Sequence, residues 1–375
     1  MARLLNEAQV LIRDTANRFV KEEVEPLVRE IERSANIPDR LIRRLAELGF
    51  YAIPFPRRYG GVEAGYLALM LALEEVAKAS MAVSLHVSAH FTASNAIYQY
   101  GDEEQKSKYL TRMVKGELLG CFAFTEASTG SDPEMLETVA EPVSGGFKLR
   151  GMKQMICNAP IADLAVVFAK DPEAKGLTAF IVEASQPGFE RLGEEEFMGL
   201  RGLRVGSFAL NDVKVGEENV LGRRGEGFRM LRRLIAYSKV ALSAQGVGVA
   251  QAALEEALKY AKQRFQRGKP IAEFQSIQWL IAESATLIEA ARSLVYRVAG
   301  LMDQGVEVIK EAAMAKLFVA QVAEKATSMA IQVHGSYGYS KEFKVERLYR
   351  DAKSIGITEG SSEIQRVIIA AALLR

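Results

Sequence analysis

Cysteine is nearly absent. Only Cys121 and Cys157 occur in 375 residues, too few for a disulfide framework, so a reducing compartment fits best and a cytoplasmic protein is expected. Histidine is as scarce: His86, His90 and His334 are the whole set. His86 and His90 are four apart and could share a helix face, but no acid pattern completes a metal set, so no metal is expected. Neither sign of charge is in excess, with 48 Lys and Arg against 47 Asp and Glu. That balance gives no electrostatic case for nucleic acid or an anionic membrane. No run approaches the roughly 18 apolar residues a membrane span needs. The segment from Met1 shows no apolar signal-peptide stretch. A Gly-rich nucleotide fingerprint is missing too, which argues against a Rossmann sheet.

What is present is an ordinary globular composition, 49% hydrophobic and 25% charged, in a chain long enough for two or three cores. Helical spacing covers 4–33, where Leu4, Leu5, Val10, Leu11, Ala16, Phe19 and Val20 recur at three and four. Further helices are expected over 38–48, 64–79 and 81–100. The last, rich in Ala, Ser, Val and His, is apolar on too many sides for a surface helix and is expected inside its domain. Near 118 the character changes. Short alternating stretches at Phe147–Arg150, Leu164–Ala169, Thr178–Val182 and Ser207–Leu210, with Gly and Pro between them, predict an antiparallel barrel or sandwich. After Gly222 long helices return over 226–265, 274–303, 306–337 and 361–374, joined by short loops as in a bundle. The expected fold is α+β in three domains: helical 1–118, β 119–225, helical bundle 226–375.

Five stretches could carry chemistry. Cys121-Phe122-Ala123-Phe124-Thr125-Glu126-Ala127-Ser128-Thr129-Gly130-Ser131-Asp132 is a short apolar strand that breaks into hydroxyls, a Gly and an acid. Such a turn can aim N–H groups at one polar ligand, or be only a turn. Lys153–Asn158 reads as a strand. Arg264-Phe265-Gln266-Arg267-Gly268-Lys269-Pro270, followed by Phe274-Gln275, offers guanidinium groups suited to a pyrophosphate, or is a solvated basic loop. Gln332-Val333-His334-Gly335-Ser336-Tyr337-Gly338-Tyr339 permits close backbone approach, or caps a helix. Thr358-Glu359-Gly360-Ser361-Ser362 could hold a base, and also starts a helix with Ser361 or Ser362 as the cap.

In this order and spacing the five stretches resemble the acyl-CoA dehydrogenase family of FAD flavoenzymes over nearly the whole chain. The first resembles the family's TEP-x-x-GSD strand end, with Ala127 for Pro. The second resembles K-x-W-I-T-N, with Met155 for the aromatic that shields the ring and Cys157 for the Thr that bonds flavin N5; a thiol is the weaker donor. Arg267 replaces a Phe in the hairpin, and Ser336 a Gly in the fourth stretch. The resemblance assigns FAD to Phe122, Phe124, Thr125, Ser131, Met155, Ile156 and Cys157, to Arg264, Gln266 and Gln275 reaching a neighbouring subunit, and to Gln332, Gly335, Ser336, Ser361 and Glu363.

Substrate contacts fall, by the same resemblance, to Ser131, Lys239 and Gly360, and the general base to Glu359. Some members carry the base in the segment matching Ile235–Lys239, but Tyr237-Ser238-Lys239 offers no carboxylate. The implied reaction is α,β-dehydrogenation of an acyl-CoA to trans-2-enoyl-CoA, as in fatty-acid β-oxidation. Electrons would pass to an electron-transfer flavoprotein, and the implied assembly is a homotetramer of paired dimers. Ser84, Ser88 and Phe91 are candidates for the end of the acyl pocket. A flavin oxidase or monooxygenase is the alternative, raised by Met155 and Cys157 and recognised by fast reoxidation with dioxygen. A helical binding protein without flavin would be colourless.

Overall fold

The computed structural model describes residues 5–374, without the side chain of Glu134; Leu4 lies outside the described residues. The amino-terminal helices are α1 (Glu7–Phe19), α2 (Val28–Ser34), α3 (Asp39–Glu47), α4 (Gly65–Ala79), α5 (Met81–Tyr100), α6 (Glu103–Gln105) and α7 (Thr111–Val114). The expected helix over 4–33 is interrupted. Between α1 and α2 the backbone passes through a π turn at Val20–Val24 and a tight turn at Glu25–Leu27. Pro26 lies there, and without an N–H it cannot continue the ladder.

The β region contains β1 (Gly120–Ala123), β2 (Val139–Val143), β3 (Gly146–Cys157), β4 (Leu164–Asp171), β5 (Gly176–Glu183), β6 (Phe189–Glu194), β7 (Val205–Gly216) and β8 (Val220–Leu221). They form one sheet in the order β6-β7-β3-β2-β4-β5-β8, with β1 paired to β4. Pairing is antiparallel except where β1 and β2 run parallel to β4. β4 is apolar on both faces, and its alternate residues serve two cores. Ala165, Val167 and Ala169 join Phe147, Phe180 and Phe208 inside the β region. Leu164, Val166 and Phe168 join a second core built of helices from both ends of the chain.

The carboxy-terminal part has α8 (Gly227–Gln263), a hairpin of β9 (Phe265–Gln266) and β10 (Lys269–Pro270), α9 (Gln275–Asp303), α10 (Ile309–His334), α11 (Lys344–Ile355) and α12 (Ser362–Leu373). The α11 helix was not expected from the sequence. α5 is buried along nearly its whole length, as its composition implied. At the crossing of α8 and α4, a Cβ on Gly248 would lie 2.2 Å from the carbonyl oxygen of Glu74, so only glycine allows this approach.

Candidate functional site

The site begins at a bulge in β3. Its register against β7 slips between Lys153 and Ile156, and Met155 takes a φ of +55°. Lys153 is thereby turned inward and fully buried, Met155 stands half exposed, and the Ile156 side chain returns to the β core. The buried Lys153 Nζ donates to Glu126 Oε1 at 2.7 Å, to the Phe168 carbonyl at 2.7 Å and to the Phe124 carbonyl at 3.3 Å. Glu126 also accepts from the Thr138 hydroxyl at 2.5 Å and from the backbone N–H groups of Thr138 and Glu137. Burial alone would raise the Glu126 carboxyl; the Lys153 charge and these donors hold it below the usual range. The ion pair ties the turn after β1 to β3, and the Gln154 N–H adds a bond to the Thr125 carbonyl. Phe122 of β1 and Phe124 just after it are half-buried and edge-on to each other, 6.3 Å between centroids, while Ser131 on the turn is exposed.

β3 ends at Cys157 and Asn158, the latter at φ +66°. Asn158 Oδ1 can only accept, so His86 Nδ1, 3.0 Å away, carries the hydrogen. His86 Nε2 then accepts from the Tyr51 hydroxyl at 2.8 Å, and Asn158 Nδ2 donates to the His86 carbonyl. Burial pushes the His86 pKa down to about 4, keeping the ring neutral. Cys157 sits between this clamp and Glu359. Burial first, then the carboxylate, push its thiol up to about 12, so it stays protonated.

Glu359 lies on the turn between α11 and α12 at φ +58°, followed by Gly360 at +84°. Lys316 Nζ donates to the Gly360 carbonyl at 2.6 Å, and Gln365 Nε2 donates to the Glu359 and Gly360 carbonyls at 3.1 and 2.8 Å. Ser361 caps α12, accepting from the Ile364 N–H. The Glu359 carboxylate itself accepts from the Ser238 hydroxyl of α8 at 2.7 Å. Burial raises its pKa, and the Ser238 hydrogen bond, Lys239 and Lys316 pull it part of the way back. Lys239, expected to meet a phosphate, is buried facing Glu359; burial lowers its pKa to about 8, as it does for Lys316. The structure therefore unites Cys157, Lys239, Glu359 and Gly360 with three residues that the sequence reading did not propose, Ser238, Lys316 and Gln365. A lysine inside the Ala-rich run 312–320 was the one visible sign of Lys316.

The remaining predicted residues lie elsewhere. Lys239 and Lys316 flank Glu359 towards one end of α8 and α10; at the other end Tyr260 of α8 stacks on His334 of α10, 4.2 Å between centroids. The two helices thus run in the same direction. Just past that far end come the β9–β10 hairpin with exposed Arg264 and Gln266, and the exposed Gln332, Gly335 and Ser336. Gln275 opens α9 beside the hairpin, and Glu363 is exposed at the start of α12. The hairpin turn, Arg267 at φ +49° and Gly268 at +80°, suits a two-residue β-hairpin. Arg264 is 26 residues beyond Ser238, about 39 Å along α8.

These groups suit FAD chemically. The half-buried Phe122 and Phe124, the outward Met155 and the neutral thiol of Cys157 offer an apolar edge with one weak donor beside Glu359. Arg264, Gln266, Gln332 and Ser336 supply donors for phosphates. Within one chain the two sets are farther apart than one extended dinucleotide spans.

Among the described residues, no helix is long and apolar enough to cross a membrane. The chain matches three family models: acyl-CoA dehydrogenase N-terminal domain over residues 6–117, middle domain over 121–213 and C-terminal domain over 225–374. It is 40% identical over 374 residues to an acyl-CoA dehydrogenase of Bacillus subtilis, covering 99% of each chain. It is 37% identical over 375 residues to the caffeyl-CoA reductase-Etf complex subunit CarC of Acetobacterium woodii, again covering 99% of each. The solved butyryl-CoA dehydrogenase of Megasphaera elsdenii superposes with a TM-score of 0.97 at 37% identity, covering 99% of each chain.

Proposed function

The chain belongs to the acyl-CoA dehydrogenase family, and from that premise we propose that it desaturates a short-chain acyl-CoA with Glu359 as the base. It is an FAD-dependent oxidoreductase acting on a CH–CH bond, and electrons pass on to an electron-transfer flavoprotein. The observation that carries the assignment of the base is the placement of Glu359: a half-buried residue whose carboxylate, among the described residues, accepts one side-chain hydrogen bond, on a backbone fixed by Lys316 and Gln365.

Bound FAD supplies the two-electron acceptor for the hydrogen that leaves Cβ. Glu359 takes the α-proton on a carboxylate oxygen. Its raised pKa brings it nearer the operating pH, where a base is most effective. By the family resemblance, the backbone N–H of Glu359 would donate to the thioester oxygen and stabilise the enolate-like charge. The ammonium groups of Lys239 and Lys316 keep the carboxylate ionised in a buried setting. In the reverse direction the same group, once protonated, would return a proton to Cα.

Short chain length is supported by Gln245. It lies seven residues past Ser238 on α8, about 10 Å further along the helix. Its amide donates to Ser88 Oγ at 2.9 Å, its Oε1 has no partner among the described residues, and Phe91 is buried one turn along α5 from Ser88. A long alkyl tail would press against that unpaired polar atom at a cost. Assembly of at least two copies is supported by the separation of the two cofactor sets. It is supported also by apolar residues left open on α9 and α12, with Trp279 66%, Val367 62% and Leu373 63% exposed. A homotetramer acting in fatty-acid β-oxidation in the cytoplasm is our reading, the last in keeping with two free thiols.

The test is anaerobic titration of the FAD-loaded protein with butyryl- and octanoyl-CoA, followed by the flavin absorbance. Bleaching by butyryl-CoA, lost in Glu359→Gln, is expected. Bleaching that survives Glu359→Gln removes Glu359 as the base. Reoxidation by dioxygen faster than by an electron-transfer flavoprotein turns the assignment to an oxidase.

A further inference from the structure

Among the described residues, Ser238 makes the one side-chain hydrogen bond to the Glu359 carboxylate, and it has a second use for its proton. Its Oγ lies 2.7 Å from Glu359 Oε2 and 3.1 Å from the carbonyl of Ile235, three residues back on α8. A hydroxyl carries one hydrogen, so it donates to one of these acceptors at a time. We propose that Ser238 is a positioning residue that latches Glu359 in the substrate-free protein and releases it to an arriving acyl-CoA by turning its hydroxyl to Ile235. The inference rests on Glu359 being the base.

The surroundings favour a latch over a fixed strut. The backbone at Glu359 is held from two sides, by Gln365 and through Lys316 on the Gly360 carbonyl. Its side chain has no such bracing. Among the described residues, neither Lys239 nor Lys316 approaches as an ion-pair partner. Lys316 spends its ammonium on a carbonyl, and Lys239 acts on the carboxylate only through its field. Cys157, on the β3 side, is a neutral thiol. Glu363, on α12, acts on Lys316 and lies exposed. Rotation of the carboxylate thus breaks one hydrogen bond. The Ile235 carbonyl takes up the freed hydroxyl, so the buried Ser238 is never left unpaired. A glycine or alanine at 238 would leave the carboxylate free to adopt several rotamers; a carboxylate there would repel it.

The bond favours the ionised carboxylate, so removing it raises the Glu359 pKa. Ser238→Ala is expected to move the acid limb of kcat/KM upwards by about one pH unit, a tenfold change in proton affinity. kcat well above that limb should be retained, because the reacting geometry no longer uses the bond. The direct readout is the carboxyl stretch of Glu359 in the FAD-loaded, substrate-free protein. It is obtained by infrared difference against Glu359→Gln across pH, and it should shift by the same amount. Ser238→Thr, which keeps the hydroxyl, should restore both. Ser238→Cys carries the same comparison with a weaker donor if the alanine variant does not accumulate.

An acid limb and carboxyl titration that stay in place in Ser238→Ala, or a threonine variant that behaves like alanine, overturns the latch. A fall in kcat at high pH as large as the fall at low pH also overturns it, since it would make Ser238 part of the reacting geometry. If Glu359→Gln still bleaches with butyryl-CoA, the base assignment itself fails. If it does not bleach and Ser238→Ala titrates as wild type, only the latch fails.

Discussion

Acidification should loosen the Cys157 end of β3 through His86, and the size of the effect follows from its burial. In the folded protein the ring is neutral, with a pKa of about 4 against an ordinary 6.5. The unfolded chain therefore binds a proton that the folded chain refuses. The stability contributed by neutral His86 is complete above about pH 6.5 and drains away as the pH falls towards 4. Between pH 7 and pH 5 the loss is about 2 kcal/mol for this residue alone. The perturbation is His86→Gln, which can still bond Asn158 and Tyr51 but does not titrate. Urea unfolding of the FAD-loaded protein would be followed by circular dichroism and flavin release at both pH values. Asp351 works the other way, because burial lifts its carboxyl to about 6, so only the difference between variant and wild type isolates His86. The variant should be less stable at pH 7 and recover by about 2 kcal/mol relative to wild type at pH 5. A variant-minus-wild-type difference that is the same at both pH values refutes the neutral, Asn158-bonded assignment of His86.

Lys153→Met should destabilise the β region by about 3 kcal/mol, since Glu126 keeps its Thr138 and Glu137 donors but loses its cation. The turn carrying Thr125 and Ser131 should loosen with it, so flavin lost on gel filtration measures the effect; full flavin retention would argue against the tie. Gly248→Ala forces α8 away from α4 and should cost about 1–3 kcal/mol, whereas Gly300→Ala, where a Cβ meets nothing, should stabilise α9 by up to about 1 kcal/mol. Thermal unfolding separates the two, and equal effects would contradict the packing. Arg264→Ala lies on an exposed hairpin and should leave folding within about 0.5 kcal/mol while weakening flavin retention, read as the flavin-to-protein absorbance ratio after dilution.

The features legible in sequence were those written as a local period or a local motif. The all-round apolar character of 81–100 led directly to a buried helix. The unbroken apolar run of β4 led to a strand, though not to its service in two cores. Pro26 was visible, yet the apolar spacing around it suggested one helix, because spacing records faces and not ladder continuity. α11 was hidden because Lys344, Glu346, Arg350 and Lys353 dominate its short span, and its buried stripe is Val345, Leu348, Ala352 and Ile355. Glu359 was singled out in the sequence because a local pattern surrounds it. Ser238 was passed over because its segment was read for carboxylates only, and its bond to Glu359 spans 121 residues. The Lys153–Glu126 tie, across 27 residues, was likewise out of reach: each residue alone is an ordinary charge.

The length of α8 has a genetic consequence. One helix carries Ser238 and Lys239 beside Glu359 and, at its other end, the hairpin that in the proposed two-copy arrangement reaches a neighbour. If Glu359 is the base and two copies share each FAD, as proposed above, a lesion at Glu359 disables the copy that bears it, while a lesion at Arg264 disables the copy beside it. Mixed in one cell, a Glu359→Gln chain and an Arg264→Ala chain would each be inactive alone. In a mixed dimer both faults fall on the same site, and the other site has an intact base and an intact hairpin. Such alleles would complement each other, and a hairpin mutation would be felt by wild-type partners even though its own base is sound.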